Sequence, residues 1–281
     1  MKILAVDLGN FNIKTSEGII FQSRFRKITE EFEDTNVFEF KNKKYEMGIG
    51  EFDNTYNKAE KDYMPNLMYA IYKSIDEDKS SINLVLGVPA SNLGIKESFK
   101  EELEGKIFKF SVDGNMKMVK INKVATVAEG LSSFYTLRKE QRDKDTLIID
   151  VGGRTVNVCT FVNGKCIEKF TIPLGVINLY NKVAENYNSN GNNATTEEII
   201  RLVNNKTINC NKEKVEIVNN ILNAIKLKIN NIETYNIYLT GGGALELDTQ
   251  FRNRINKYEI LPNPIFSNVT GNKILAEIKW S

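Results

Sequence analysis

The segment Asp7-Leu8-Gly9-Asn10-Phe11-Asn12-Ile13-Lys14 is echoed later in the chain by Asp150-Val151-Gly152-Gly153-Arg154-Thr155-Val156-Asn157. In each copy an apolar run suited to a strand (residues 3–6 and 147–149) ends in an aspartate. A glycine-containing turn follows, then a second strand, a further turn (Glu17-Gly18; Asn163-Gly164) and a third strand. A chain that writes one β-hairpin unit twice, with a carboxylate at the same corner, must fold into two related halves.

The segments between the copies alternate. Short strands are expected at 2–7, 11–15, 18–24, 37–40 and 44–49. Leu67, Met68, Ile71, Tyr72 and Ile75 recur at helical spacing, and the apolar run 82–88, ended by Pro89, has the composition of a strand buried on both faces. A helix at about 92–104 precedes a hairpin turning at Asp113-Gly114, and 124–140 has the spacing of another helix. In the second half, helices are expected at 176–187, after a Thr195/Glu198 capping box, and at 212–232, where Val215, Val218, Leu222, Ile225, Ile229 and Ile232 form a stripe. A strand at 236–240, the triplet Gly241-Gly242-Gly243 and a helix near 269–279 close the chain. This is an α/β pattern of two domains: 1–125, rejoined by the C-terminal helix 265–281, and 126–264.

Composition excludes several chemistries. Histidine is absent, which removes imidazole bases and histidine-ligated metals. The three cysteines lack CxxC spacing and are odd in number, as expected of thiols in a reducing compartment. A net charge of +2 without a basic block argues against direct nucleic-acid binding. No apolar run reaches the length of a membrane span. The early first strand leaves no room for a signal peptide, so a cytoplasmic location is expected.

Catalysis must then rest on carboxylates, amides, Lys, Arg, backbone N–H groups and a metal. Asp7 and Asp150 close their strands where α/β sheets bind ligands, and suit a hydrated Mg²⁺ held jointly with phosphate oxygens. Gly9, Asn10, Gly152 and Gly153 permit turns that aim N–H groups at phosphate, and Lys14 supplies a point charge. Gly241, Gly242 and Gly243, between a strand and a helix, let the backbone approach a flat ligand. For Glu129 two readings stand: an acid at a cleft that orients water, or a glutamate on a solvent-facing helix surface.

These motifs, in this order, resemble the actin, hexokinase and chaperone ATPase superfamily, and within it the ParM-type bacterial actin-like proteins that segregate plasmids. The subfamily likeness is carried by Leu86-Gly87-Val88-Pro89-Ala90, the acid Glu129, the Pro173-Leu174-Gly175 turn and the helix start Asn268-Val269-Thr270-Gly271. The resemblance implies two lobes of an actin-like ATPase (ribonuclease H-like) fold with a nucleotide cleft between them. It implies that Asp7, Gly9, Asn10, Phe11, Asn12 and Lys14 meet phosphate or hydrated Mg²⁺ from one side, and Asp150, Gly152, Gly153, Arg154 and Thr155 from the other. Glu129 would position the attacking water, and Gly241–Gly243 would line the adenosine. Asn157 where Asp is common, Arg154 where a small residue is common, and Ala128 in place of a proline depart from the pattern.

The function so implied is hydrolysis of ATP or GTP with Mg²⁺ by a protein that polymerises with itself. The filament would move plasmid DNA through a DNA-binding adaptor, without nucleic-acid or membrane contact of its own. Two alternatives are a small-molecule kinase of the same superfamily, similar to the type III pantothenate kinases, and a nucleotide-locked scaffold with negligible hydrolysis. Residues 50–64, with Phe52, Tyr56, Tyr63 and Met64, either contact a neighbouring subunit or pack on their own domain.

Overall fold

The computed structural model describes residues 2–28, 37–50, 62–88 and 95–281. The chain forms two compact units, Met1–Leu137 with Phe266–Ser281, and Arg138–Ile265.

The first unit opens with strands β1 (Lys2–Leu8), β2 (Asn12–Thr15), β3 (Ile20–Gln22), β4 (Phe25–Lys27), β5 (Val37–Phe40) and β6 (Lys43–Met47). Helix α1 (Met64–Ser74), strand β7 (Lys79–Val88), helix α2 (Ile95–Leu103) and strands β8 (Ile107–Val112) and β9 (Asn115–Ala128) follow. One sheet takes them in the order β3-β2-β1-β7-β9-β8-β5-β6-β4. β1, β7 and β9 run parallel at its centre. β7 is buried from Ile82 to Val88, as its nearly continuous apolar run, broken only by Asn83, requires of a strand with helices over both faces.

The two faces of those central strands separate by residue parity. Leu4, Val6, Leu84 and Leu86 join the main core with Leu67, Met68 and Ile71 of α1. Ala5, Val85 and Ala125 point the other way into a smaller cluster.

Residues 124–128 are strand, not helix. β9 pairs in parallel with β7 as far as Val88 opposite Ala128, and with β8 on its other side. The β-branched Val124, Thr126 and Val127 suit this pairing with β7 better than a helix, so tertiary pairing prevails over the local spacing. The chain then turns at Glu129-Gly130, with Gly130 at φ 77°, into a 3₁₀ turn at Ser132–Thr136. The change of unit falls after Leu137.

The second unit contains α3 (Lys139–Arg142), β10 (Thr146–Val151), β11 (Val156–Val162), β12 (Lys165–Ile172), α4 (Val176–Asn188), α5 (Thr196–Asn204) and α6 (Asn211–Lys226). It continues with β13 (Asn236–Thr240), α7 (Gly242–Glu246), α8 (Asp248–Arg252) and β14 (Glu259–Ile260). Its sheet runs β12-β11-β10-β13-β14, with β10, β13 and β14 parallel. The Thr195/Glu198 capping box forms in both directions: the Glu198 N–H donates to Thr195 Oγ1 at 3.2 Å, and the Thr195 N–H to Glu198 Oε2 at 2.8 Å. α6 ends at Lys226, short of the expected 232. Ile229 and Ile232 stay buried through a turn capped by Asn231, whose Oδ1 accepts the Glu233 N–H at 3.0 Å.

The last helix, α9 (Ser267–Trp280), returns to the first unit, where Val269 and Ala276 pack on Ala5, Val85 and Ala125. Those small side chains let the helix approach the sheet closely. At Gly271 a Cβ would stand 1.9 Å from the Ser132 carbonyl oxygen, so only glycine allows the contact.

Candidate functional site

The duplicated hairpins form in the same register. Asp7 at the end of β1 is opposite Lys14 of β2, and Asp150 at the end of β10 is opposite Asn157 of β11. Each acid stands on the outer strand of its parallel pair, beside β7 and β13 respectively. Both are buried, at 4% exposure.

In the first unit, strand alternation brings the acids together. Asp7 is two residues beyond Ala5, and Gly87 two beyond Val85, so both continue the face that α9 covers. Glu129 follows the end of β9, and its N–H donates to the Val88 carbonyl at 2.8 Å. A methyl group on Gly87 would lie 3.7 Å from Asp7 Oδ1, 3.6 Å from Glu129 Cγ and 3.5 Å from Asn272 Nδ2. Gly87 thus leaves a small space ringed by two acids and an amide, at the C-terminal ends of three adjacent parallel strands. The strand end does what the expected helix was meant to do for Glu129, which is 8% exposed rather than solvent-facing.

Lys14 Nζ donates to Asp7 Oδ2 at 3.2 Å and forms an ion pair with it. Gly9, Asn10, Phe11 and Asn12 form the turn after β1, all half-buried. The Phe11 carbonyl accepts the Ser23 N–H at 2.9 Å. The Oδ1 of Asn10 is buried without a hydrogen-bond partner among the described residues.

In the second unit the Gly152 N–H closes its turn on the Thr155 carbonyl at 2.9 Å. The carbonyls of Gly152 and Gly153 accept N–H groups from Val176 and Ile177, at 3.2 and 2.7 Å. The Pro173-Leu174-Gly175 turn thereby seats the start of α4 on the hairpin. Arg154 is buried at 7% exposure, while Thr155 is half-buried. Asn157 does not copy the lysine of the first hairpin; its Oδ1 accepts the Thr171 hydroxyl at 2.8 Å.

The glycine triplet divides by role. Gly241 has φ 84°, and a Cβ there would be 2.4 Å from the Val151 carbonyl and 2.5 Å from Asp150 Oδ1. Gly243 is pressed against Val151 and Val176, whereas Gly242 is exposed and has nothing near its missing Cβ. Two of the three glycines are thus required by packing, and Gly242 presents open backbone.

Among the described residues no three His, Cys, Asp or Glu side chains assemble into a metal cluster. Mg²⁺ keeps water and takes phosphate oxygens in addition to one or two carboxylates. Asp7, Glu129 and the idle Asn10 amide supply oxygens of that kind. Among the described residues no helix is long and apolar enough to cross a membrane.

Of the residues 50–64, Phe52 and Tyr56 lie outside the described residues, as do Pro89 and Ala90. Tyr63 is packed within its own unit, its ring 4.9 Å from that of Phe99. Asn268 and Asn272 were not anticipated as site residues. Their signal was present, as polar residues at i, i+4 spacing on the same helix as Val269 and Ala276.

Residues 5–131 match the family model of the N-terminal domain of actin-like proteins. A search of curated proteins found no match. Among solved structures, an archaeal actin homologue, Ta0583, in complex with ADP superposes with a TM-score of 0.84 at 17% identity, over 99% of this chain and all (100%) of that one. A ParM subunit of a 15-stranded filament from Clostridium botulinum gives 0.83 at 18% identity, over 99% and 100%. The apo pSK41 ParM protein gives 0.73 at 21%, over 99% and 97%. The chain has the actin-like ATPase fold, a mixed α/β fold with two sheets, and resembles ParM.

Proposed function

We propose that this chain is an actin-like nucleoside triphosphatase that binds ATP or GTP with Mg²⁺ and polymerises with itself. Its filaments would move plasmid DNA through a DNA-binding adaptor, in the bacterial cytoplasm. The observation that carries the reading is the meeting of Asp7, Glu129 and Asn272 around Gly87, at the ends of three parallel strands. The actin-like match over 5–131 and the likeness to a ParM filament subunit support it.

In this reading Asp7 and Asp150 are the carboxylates that would hold a hydrated Mg²⁺, which would supply charge neutralisation to the phosphates. Lys14 steadies Asp7 and offers its ammonium to phosphate. The N–H groups of Gly9, Asn10, Phe11, Asn12, Gly152, Gly153, Arg154 and Thr155 are the candidate phosphate cradle. Gly242, with Gly241 and Gly243 shaping its loop, is the candidate backbone for the base and ribose. Glu129 accepts a hydrogen bond from water and fixes its orientation; positioning of this kind accounts for most of phosphoryl-transfer catalysis.

The test is light scattering and negative-stain microscopy with Mg²⁺ and ATP, GTP or no nucleotide, alongside phosphate release. Filaments that require nucleotide and release phosphate are expected. Permanent small oligomers that phosphorylate a metabolite would replace the reading with a kinase.

A further inference from the structure

Helix α9 carries two asparagines one turn apart on one face, and only one has a hydrogen-bond partner among the described residues. Asn268 Oδ1 accepts three hydrogen bonds, from the Gly130 N–H at 3.1 Å, Ser132 Oγ at 3.2 Å and Ser133 Oγ at 2.8 Å. These lock α9 to the segment that immediately follows Glu129. Gly271, in contact with the Ser132 carbonyl, sets the same register. One turn further on, Asn272 is 0% exposed, and neither atom of its amide has a hydrogen-bond partner among the described residues. Its Nδ2 lies 3.5 Å from the point above Gly87 that is 3.6 Å from Glu129 Cγ and 3.7 Å from Asp7 Oδ1.

A buried amide without a partner is a standing cost that an apolar side chain would avoid. The neighbouring residues on this face, Val269 and Ala276, are apolar and pack on Ala5, Val85 and Ala125. A leucine at 272 would continue that surface. An amide kept here instead, facing two acids, is suited to a partner that arrives with the ligand.

We propose that Asn272 is a positioning residue for Glu129, whose amide donates to the Glu129 carboxylate and accepts from water once the nucleotide and its hydrated cation are bound. An amide offers both functions, whereas an ionised carboxylate can only accept. Because Asn268 fixes the helix and Asn272 meets the ligand-borne water, α9 gains a hydrogen bond on nucleotide binding. The inference rests on the nucleotide-binding reading above and adds a residue to it.

The test uses the full chain with Asn272→Leu, and Asn272→Ala as the second variant should leucine not fold. Melting midpoints are recorded without nucleotide, with nucleotide in EDTA, and with nucleotide and Mg²⁺; single-turnover phosphate release is measured in parallel. The leucine variant is expected to melt at or above the wild-type midpoint without ligand, yet to lose most of the Mg²⁺-dependent increment. Its phosphate release should slow about tenfold, the scale of one hydrogen bond to a charged group. Affinity for nucleotide in EDTA should stay within about twofold of wild type, because the lost bond is made only with the hydrated cation present. A variant that keeps the full Mg²⁺ increment, whether or not its unliganded form is weakened, overturns the assignment and leaves the nucleotide reading standing. A wild-type protein whose midpoint ignores nucleotide altogether sinks that reading, and this one with it.

Discussion

The hairpin ending in Asp7 and the hairpin ending in Asp150 share strand order, register and burial, but their acids are held differently. Asp7 faces a lysine across the ladder and lies under α9, among side chains that leave the space above Gly87 open. Asp150 faces an asparagine already bonded to Thr171, and Gly241 presses its backbone against the carboxylate. One frame therefore supports two kinds of acid: one balanced by charge, and one fixed by contact.

The sharpest way to break this comparison is at Gly241. Gly241→Ala puts a Cβ 2.5 Å from Asp150 Oδ1 at a φ of 84°, and should cost about 4 kcal/mol from strain and overlap together. Gly242→Ala, with open space, should change stability by less than about 0.5 kcal/mol. Urea unfolding of the two variants side by side measures the contrast; equal costs would mean the triplet is not divided by packing.

Glu129→Gln removes the charge but keeps the shape at the end of β9. Single-turnover phosphate release should fall about a hundredfold, with urea stability within about 0.5 kcal/mol of wild type. A similar rate in the variant would return Glu129 to a structural role.

Lys14→Met tests the charge-balanced acid. Leaving the 4%-exposed Asp7 without its lysine should cost about 2 kcal/mol in the absence of nucleotide, and Mg²⁺ should recover part of that loss. Asn157→Ala, in the contact-fixed copy, should cost only about 1 kcal/mol and show no Mg²⁺ recovery.

The smallest effect concerns thiols found only in the second copy. Hydrogen bonding from the buried Cys159 pulls the Cys166 thiol down to about 7. Below that pH Cys166 is protonated and slow towards iodoacetamide, and above it the thiolate reacts, so alkylation should be half-maximal near pH 7. Cys159→Ala should move the midpoint up towards ~8.5. An unmoved midpoint would show that Cys159 does not set it.

Much of the second unit was legible in the sequence. The Thr195/Glu198 box forms as written, and α4 and β13 fall within a residue of the segments expected. In the first unit the expectation failed at 124–128, where β-branched residues at helix-compatible spacing pair with β7 instead. Local spacing could not reveal that pairing, because it depends on strands distant in the sequence. The failure moved Glu129 from a helix face to a strand end without removing it from the site.

Asn272 was invisible for a related reason. An i, i+4 pair of asparagines marks one helix face, but not what that face meets. The repeated strand–Asp–Gly pattern by itself determined two related sheets with an acid at the same corner of each, since turn chemistry and side-chain alternation act over a few residues. Tertiary structure alone decided that α9 comes back across Ala5, Val85 and Ala125 and sets the buried Asn272 amide beside Glu129. Such contacts join residues more than a hundred positions apart in the chain, and they form only when packing brings three strand ends and a returning helix together.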